Sequence, residues 1–202
     1  MAADRNKDEL LLARAAAGDS AAFIQLYENH RAAIFRFSYR LAGSVELAED
    51  ITHDCFLSLL RRPDGFQGRH ATLRTYLLAA ARNLWLKQLR SAGREWAMDD
   101  LGDDEFVSFE RPPLTRLLDD ELSAKVQEAV SALPPLQREA LVLFEYEGLS
   151  LSDIASISGT DVGAVKSRLH RARQRLRSSL SQYVNASPEL NTSREIVTLE
   201  QA

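Results

Sequence analysis

The sequence predicts an all-α protein in which an acidic linker joins two small helical domains. Apolar residues recur three and four apart through most of the chain, as on one face of a helix, and no useful stretch alternates as a strand would. The composition, 45% hydrophobic and 27% charged with nine glycines and six prolines, is typical of a helix-rich globular protein. An acidic, aperiodic segment that contains Pro112–Pro113 separates the two helical regions.

We expect five segments along the 202 residues. They are an N-terminal extension at 1–17, a helical domain at 18–92, an acidic flexible linker at 93–117, a helix-turn-helix domain at 118–183 and a disordered tail at 184–202. The linker and the tail lack apolar periodicity, so we expect a packed core only in the two helical domains.

Three helices are expected in the first domain. Apolar residues at helical spacing over 23–41 predict the first helix, and Gly43 is a typical end for it. The second helix begins at residue 44 or 45 and stops at Pro63, and the third spans roughly 72–89.

Four helices are expected in the second domain. Helical periodicity resumes at Leu118 and breaks at Pro134–Pro135, after which another helix runs to Glu147. Ser150, followed three residues later by an acid, is a start signal for a short helix. Asp161 can cap the long basic helix that comes after it.

Charge is segregated along the chain, although its formal net charge is only −4. Residues 61–94 contain eight Lys and Arg against one acid, and residues 161–177 contain six against one. Between them, residues 91–123 contain ten Asp and Glu against three Arg. Two basic regions of this kind favour a nucleic-acid partner more than the total charge suggests.

Several classes of protein are disfavoured. A single cysteine, Cys55, cannot form an internal disulfide, so we expect a cytoplasmic protein with a packed thiol at that position. No apolar run approaches the roughly 18 residues that a membrane span needs, and the polar N-terminus is unlike a signal peptide.

Motifs of nucleotide-binding loops, serine hydrolases and zinc proteases are missing, so we expect no catalysis, cofactor or metal. The acids at 103–105 are read as solvated linker.

The basic helix that begins at Val162 is the most informative stretch. On a helical wheel, its apolar residues fall within an arc of about 80°, which we expect to face a core. These residues are Val162, Val165, Leu169, Ala172 and Leu176. Gly163, near the start of the helix, is a place where another backbone could approach. Hydrogen-bond donors occupy the side opposite the apolar arc: Lys166, Ser167, His170, Arg171 and Gln174.

The short helix, a turn with Gly159 and the basic helix together form a helix-turn-helix pattern. In such a motif the second helix enters the major groove of DNA, where Arg and Lys read guanine edges or hold phosphates. The alternative is a structural helix with a solvated basic face, since this motif also occurs as plain architecture.

Two parts of the chain resemble bacterial sigma factors of the extracytoplasmic-function (ECF) group, in the sigma-70 family. Their C-terminal, promoter-reading domain is similar to the segment ALPPLQREALVLFEYEGLSLSDIASISGTDVGAVKSRLHRARQRLRSSL. AEDITHDCFLSLLRR resembles the A-E-D-x-x-x-[ED]-x-F-L-x-x-W helix of their N-terminal domain. RTYLLAAARNLWLKQLR resembles the R-T-W-L-x-x-I-A-R-N-x-x-x-D-x-L-R helix of the same domain, and the matches cover most of residues 18–180.

The resemblance implies a protein that binds core RNA polymerase, through its clamp coiled coil and flap regions, and directs it to promoters. It also implies that the donors on the basic helix contact the minus-35 element: Lys166, Ser167, His170, Arg171 and Gln174. Many proteins of the group are held by an anti-sigma factor, so such an inhibitor is a further partner to consider. No membrane insertion is expected.

Promoter opening needs a basic groove and aromatic or polar groups that capture single-stranded bases. The residues expected to do this at the minus-10 element are Phe66, Gln67, Arg69, His70, Arg74, Arg82, Asn83 and Lys87. Tyr76 and Trp85 are read as core packing in preference to stacking platforms. One extra residue between Gly68 and Arg74, compared with the commoner family spacing, leaves the base-capturing residue open.

The helix over 46–62 is expected to grip the polymerase clamp through a largely acidic face. The residues assigned to polymerase binding are Glu46, Glu49, Asp50, Asp54 and Phe56. Leu60 replaces the family's usual tryptophan and His53 its usual glutamine, so details of this contact differ. The main alternative function is a dimeric helix-turn-helix regulator without sigma activity.

Overall fold

A computed structural model describes residues 2–66, 71–91 and 120–186. Within these residues the chain forms eight α-helices and no strand, which confirms the predicted all-α class. The helices are α1 (Ala2–Ala16), α2 (Ser20–Ala42), α3 (Val45–Arg61), α4 (Leu73–Ser91), α5 (Asp120–Ser131), α6 (Pro135–Leu141), α7 (Leu151–Ser158) and α8 (Val162–Ala186). A 3₁₀ turn (Pro63–Gly65) follows α3, and a π-helical turn (Val142–Tyr146) continues α6.

Local capping groups fix the helix boundaries of the first domain. The Asp19 carboxylate accepts a hydrogen bond from the Ala22 amide at 3.0 Å and so caps α2. Gly43 closes α2 in the left-handed conformation, with φ of 70°. The Ser44 hydroxyl then caps α3 by accepting from the Leu47 amide at 3.3 Å. The predicted break between the two helices is therefore confirmed.

Helices α2, α3 and α4 pack around one apolar core. Their amphipathic faces meet there and bury large side chains from each helix, including Phe37, Ile51, Leu59, Leu77 and Trp85. Burial of Trp85 confirms that it packs in the core. Because α4 is anchored along this buried stripe, its remaining faces are fixed in direction, and these faces carry the basic residues discussed below.

Helix α1 was not expected, because the N-terminal segment was interpreted only as an extension. It lies along α2 and buries Leu11 and Leu12, and the Asp8 carboxylate lies 3.0 Å from the His30 ring. The three consecutive leucines at 10–12 do not repeat at helical spacing, so the sequence gives little sign of this amphipathic face.

The second domain combines α5, α6 and the helix-turn-helix pair α7 and α8. Ser150 caps α7 by accepting from the Asp153 amide at 3.1 Å, and Gly159 ends it with φ of 63°. Val165, Leu169 and Ala172 are fully buried, as the wheel predicts. Val162 is 38% exposed, however, because it lies at the first turn, beyond the packed part of α8.

The helix expected to run from Pro135 to Glu147 changes its hydrogen bonding halfway. The α-helix ends at Leu141, and the Glu147 amide bonds to the Val142 carbonyl five residues back, at 3.2 Å. This wider turn changes the register of the side chains that follow, which a 3.6-residue periodicity cannot anticipate. Glu145 and Glu147, which flank the exposed Tyr146, both make ion pairs described below.

The two domains are packed against each other. Helix α2 contacts α5, α6 and the π-helical turn, and the Arg138 guanidinium on α6 donates to the Leu41 carbonyl at the end of α2, at 2.5 Å. The predicted linker at 93–117 and most of the predicted tail lie outside the described residues, although residues 184–186 belong to α8. Among the helices described, none combines the length and apolar character needed to cross a bilayer.

Candidate nucleic-acid interface

The predicted DNA-reading residues of α8 lie on the side opposite its buried stripe. Lys166, Ser167, His170 and Arg171 are half-buried at the surface, and Gln174 is exposed. Since the buried stripe holds α8 against its domain, the rotation of the helix about its own axis is fixed. The five side chains therefore form one surface, which we call the α8 face.

The start of α8 is built around a side-chain cap. The Asp161 carboxylate accepts from the Ala164 amide at 2.8 Å, as predicted. A Cβ atom at Gly163 would lie 2.9 Å from that carboxylate oxygen. A side chain at this position would therefore push the Asp161 carboxylate away from its capping position, whereas glycine leaves the cap undisturbed.

Arg173, also on α8, is held within its own domain. Its guanidinium lies 2.5 Å from the Glu145 carboxylate and 5.5 Å from the centre of the Phe144 ring. In the sequence, Arg173 looks like the other flanking arginines of this helix, which are expected to serve phosphate or solvent. The pairing follows from the π-helical turn, which places Glu145 against α8, and no local sequence signal indicates it.

The basic residues of α4 divide into two groups. Arg74 and Arg82 face the second domain, where each makes an ion pair with a glutamate. Asn83 and Lys87, one turn apart, are exposed to solvent, and the Asn83 side-chain oxygen accepts a hydrogen bond from Arg82 Nη1 at 3.0 Å. The structure therefore does not bring the four predicted minus-10 residues of α4 into one open groove.

Arg74 contacts the end of the π-helical turn. Its Nη2 atom lies 2.5 Å from Glu147 Oε2, and its Nη1 atom donates to the Glu147 carbonyl at 3.4 Å. Arg40 on α2 lies 3.9 Å from the same carboxylate and stacks over the Tyr146 ring at 4.4 Å. The Glu147 carboxylate is therefore enclosed by cations from the first domain.

Arg82 contacts α6 and the end of α7. Its Nε atom lies 3.0 Å from Glu139 Oε1, at an angle unsuited to a hydrogen bond, and its Nη2 atom donates to the Ser158 carbonyl at 3.3 Å. The Ser158 hydroxyl donates to the same Glu139 oxygen. Glu139 is only 1% exposed, so these partners take the place of water around its carboxylate.

Lys87 borders an open depression between α3 and the second half of α4. The depression is lined by cations, an acid and apolar stems: Asp54, Leu57, Ser58, Arg61, Arg62, Leu84 and Lys87. The sequence assigned Asp54 and Lys87 to different partners, and the structure places them in one depression. Arg61 and Arg62, not selected from the sequence, add two cations to it.

The loop before α4 is described only in part. Phe66 is half-buried, with its ring 5.7 Å from the Tyr76 ring in an edge-to-face arrangement. This packing holds the start of the loop against α4. Gln67, Arg69 and His70 lie outside the described residues, so their roles remain predictions.

The acids assigned to polymerase binding form an exposed face on α3, but Phe56, which was assigned with them, does not belong to it. Glu46, Glu49, Asp50 and Asp54 all lie on its solvent side. Phe56 does not, since it is 2% exposed and its ring packs 4.8 Å from that of Tyr27. The assignment of Phe56 to polymerase binding is therefore wrong, because a core side chain offers no surface to a partner.

A groove between α2 and α3 adjoins this acidic face and was not indicated by the sequence. Aromatic and charged side chains from both helices line it: Tyr27, Arg31, Ala32, Phe35, Glu49, Thr52 and His53. Which side chains line this groove depends on how α2 packs on α3, and the periodicity of the sequence does not show that packing.

Cys55 lies behind the acidic face, within the core. Burial, with a smaller effect of the Asp54 charge, raises the pKa of the thiol to about 12. The thiolate needed for oxidation or metal binding is therefore strongly disfavoured. This supports the interpretation of Cys55 as a packed thiol.

Comparison with known proteins assigns both halves of the chain. The family model of sigma-70 region 2 matches residues 26–95, and that of sigma-70 region 4 matches residues 123–176. The first match contains the acidic face of α3 and all of α4, and the second contains the α8 face.

Relatives and solved structures agree with these matches. The ECF sigma factor SigE of Mycolicibacterium smegmatis is 36% identical over 83% of this chain and 66% of that protein. The RNA polymerase sigma-H factor of Pseudomonas aeruginosa is 30% identical, over 87% and 95% of the two chains. The ECF sigma factor EcfG of Rhodopseudomonas palustris is 33% identical, over 76% and 81%. The sigma factor RpoE of Bartonella quintana, solved with the anti-sigma factor NepR, aligns with a TM-score of 0.60 at 30% identity, over 79% and 96%. On these findings the chain belongs to the ECF group of bacterial RNA polymerase sigma factors.

Proposed function

We propose that this chain is a sigma factor in which the first helical domain binds core RNA polymerase and opens the minus-10 region, while the second reads the minus-35 element. The observation that carries this proposal is the α8 face, five polar side chains set against a fully buried stripe in a helix-turn-helix. Membership of the family supports the activity, and the geometry supports the choice of residues.

Minus-35 recognition is assigned to the α8 face. In a helix-turn-helix protein the second helix lies in the major groove, where bidentate donors discriminate guanine and shorter polar side chains contact either base type. Lys166 and Arg171 supply charge to this face, and Ser167, His170 and Gln174 supply further hydrogen-bonding groups. Arg173 is excluded because it forms the internal pair with Glu145.

Strand opening at the minus-10 element is assigned to α4 and the loop before it. Asn83 and Lys87 are exposed for contact with an extruded strand, and the neighbouring Arg61 and Arg62 extend the positive surface. Arg74 and Arg82 belong to the same set by position on α4. Gln67, Arg69 and His70 complete it as the loop residues proposed to capture bases.

Polymerase binding is assigned to Glu46, Glu49, Asp50 and Asp54 on α3. Four exposed acids on one helix are complementary in charge to a basic partner surface, and we propose that the clamp coiled coil presents such a surface. The boundaries 18–92 and 118–183 are proposed for the two functional domains. An anti-sigma factor is a proposed further partner, since the RpoE of Bartonella quintana was solved with one.

In vitro transcription tests the proposal. Core polymerase and the purified chain are incubated with fragments of the host genome, and transcripts are mapped. We expect initiation at a small set of promoters that core polymerase alone does not use. A folded chain that gives no such transcripts, or that alone binds a palindromic duplex tightly as a dimer, would contradict the proposal and favour a regulator.

A further inference from the structure

We propose that the open depression between α3 and the second half of α4 binds a nucleoside polyphosphate. Its cations hold the phosphates, and its leucines contact the nucleoside. The depression has a volume of about 350 Å³, within the range of small-molecule sites in proteins. This goes beyond sigma activity, because it assigns a small ligand to the chain itself, in the absence of polymerase and promoter.

Three cations converge on this depression, and the lining contains a single acid. Arg61 and Arg62 lie at the end of α3, Lys87 lies on α4, all three are exposed, and Asp54 is the acid. Within the described part of the chain, none of the three cations forms an ion pair or a side-chain hydrogen bond. Because these like charges repel one another, an anion bound among them lowers the electrostatic energy.

The arrangement of the cations favours a compact polyanion. A diphosphate or triphosphate concentrates several negative charges on adjacent phosphates, whereas a nucleic-acid strand carries one charge per nucleotide. The planar donors of Arg61 and Arg62 suit phosphate oxygens, and the Lys87 ammonium adds a point charge. The Ser58 hydroxyl, also in the lining, can donate to a further phosphate oxygen. The phosphate part of the ligand is therefore assigned to these four side chains.

The remaining lining favours an organic group attached to the phosphates. Leu57 and Leu84 are half-buried and give the depression apolar surface, which inorganic phosphate cannot cover. The Asp54 carboxylate accepts hydrogen bonds, and a nucleoside offers hydroxyl and amino donors to it. An apolar surface beside a few charged groups is typical of small-molecule sites. We therefore expect nucleotides to bind more tightly than inorganic pyrophosphate.

Isothermal titration calorimetry of the full chain, in magnesium-free buffer of low ionic strength, is the first test. ATP and GTP should each bind at least about threefold more tightly than inorganic pyrophosphate, because the nucleoside covers apolar surface. The R61Q/R62Q variant should bind nucleotide at least about tenfold more weakly, because charge-assisted hydrogen bonds are lost. The matched control is R175Q/R177Q, which removes two exposed arginines of α8. Equal weakening in the two variants, or equal affinity for nucleotides and pyrophosphate, would overturn the proposal.

Nuclear magnetic resonance of isotope-labelled leucine methyl groups locates the ligand. During titration with ATP, the methyl signals of Leu57 and Leu84 should shift, while those of Leu133, buried in the second domain, should not. A short single-stranded oligonucleotide is titrated in parallel to separate a free nucleotide from nucleic acid as the source of phosphate. Shifts at Leu57 and Leu84 with the oligonucleotide but not with ATP, or no shift with either, would overturn the proposal.

Thermal melts check both folding and binding. We expect R61Q/R62Q to fold, since both side chains are exposed and their replacement reduces repulsion between like charges. A ligand that binds the folded chain raises its melting temperature, so ATP should raise the Tm of the wild type and of R175Q/R177Q but not that of R61Q/R62Q. The same rise in all three proteins would overturn the proposal. None of these measurements requires polymerase or promoter, so their outcome is independent of the test of sigma activity.

Discussion

Arg173 on α8 and Glu145 in the π-helical turn form an ion pair of 2.5 Å inside the second domain. The pair links the recognition helix to the turn that packs against it, and Arg173 also lies over the Phe144 ring. Arg173 therefore stabilises the fold, although it belongs to a strongly basic helix. The arginines of α8 differ in role, and alanine substitutions distinguish those roles.

Arg173→Ala is expected to lower the free energy of unfolding by about 1.5–3 kcal/mol, since a charge-assisted bond is lost and Glu145 is left partly buried without its partner. Urea denaturation measures the loss. Arg177→Ala, at an exposed position nearer the end of α8, serves as the control and should change stability little. An equal loss in both variants would show that the pair contributes nothing specific.

Arg171→Ala is expected to weaken minus-35 recognition by about 1–3 kcal/mol while core polymerase binding is retained, because Arg171 lies on the α8 face. Competition between promoter fragments with intact and scrambled minus-35 elements measures the effect in the presence of polymerase. The exposed Arg175, outside the α8 face, provides the matched alanine control. Parallel loss of polymerase binding would contradict the assignment.

The division of α8 into a buried apolar stripe and a polar face could be predicted from the sequence, because this helix is strongly periodic. Val165, Leu169 and Ala172 repeat at helical spacing, and that pattern alone oriented the polar face. Caps at Ser150 and Asp161 were also predicted, since each bonds to an amide three residues away. Local interactions of this kind leave their signal within one turn.

Contacts between distant segments could not be predicted in the same way. The pairs Arg74–Glu147 and Arg82–Glu139 join residues that are far apart in the chain, and both sides look like ordinary solvated charges in the sequence. Phe56 was misassigned for a related reason, since its burial is decided by contact with Tyr27 on α2. Such outcomes depend on tertiary packing, which periodicity does not contain.

Lys87→Asp is expected to weaken single-strand binding and to reduce its salt dependence by a slope of about 0.7, corresponding to one lost phosphate contact. The variant introduces the aspartate of the family pattern beside Arg61 and Arg62 and so neutralises part of the depression. Titrations at several salt concentrations measure the slope. Lys7→Asp, exposed on α1, is the control, and an unchanged slope for Lys87→Asp would exclude Lys87 from the strand contact.

Glu49→Lys is expected to reduce affinity for core polymerase about tenfold, since one charge of the acidic face of α3 is reversed at an exposed site. Strand binding by the chain alone should stay unchanged. Glu28→Lys reverses an exposed acid on α2 outside the acidic face and serves as the control. A similar loss in both variants would indicate a nonspecific charge effect.

Cys55 is expected to resist alkylation by iodoacetamide in the folded chain at pH 8. With the pKa of its thiol raised to about 12, only about one molecule in 10⁴ carries the reactive thiolate at that pH, and the thiol is also buried. In urea the pKa returns towards the ordinary value near 8.5, and labelling should become rapid. Mass spectrometry after timed labelling measures both rates. Rapid labelling of the native protein, with melting curves showing it folded, would mean that the Cys55 thiol is accessible and would contradict its interpretation as a packed thiol.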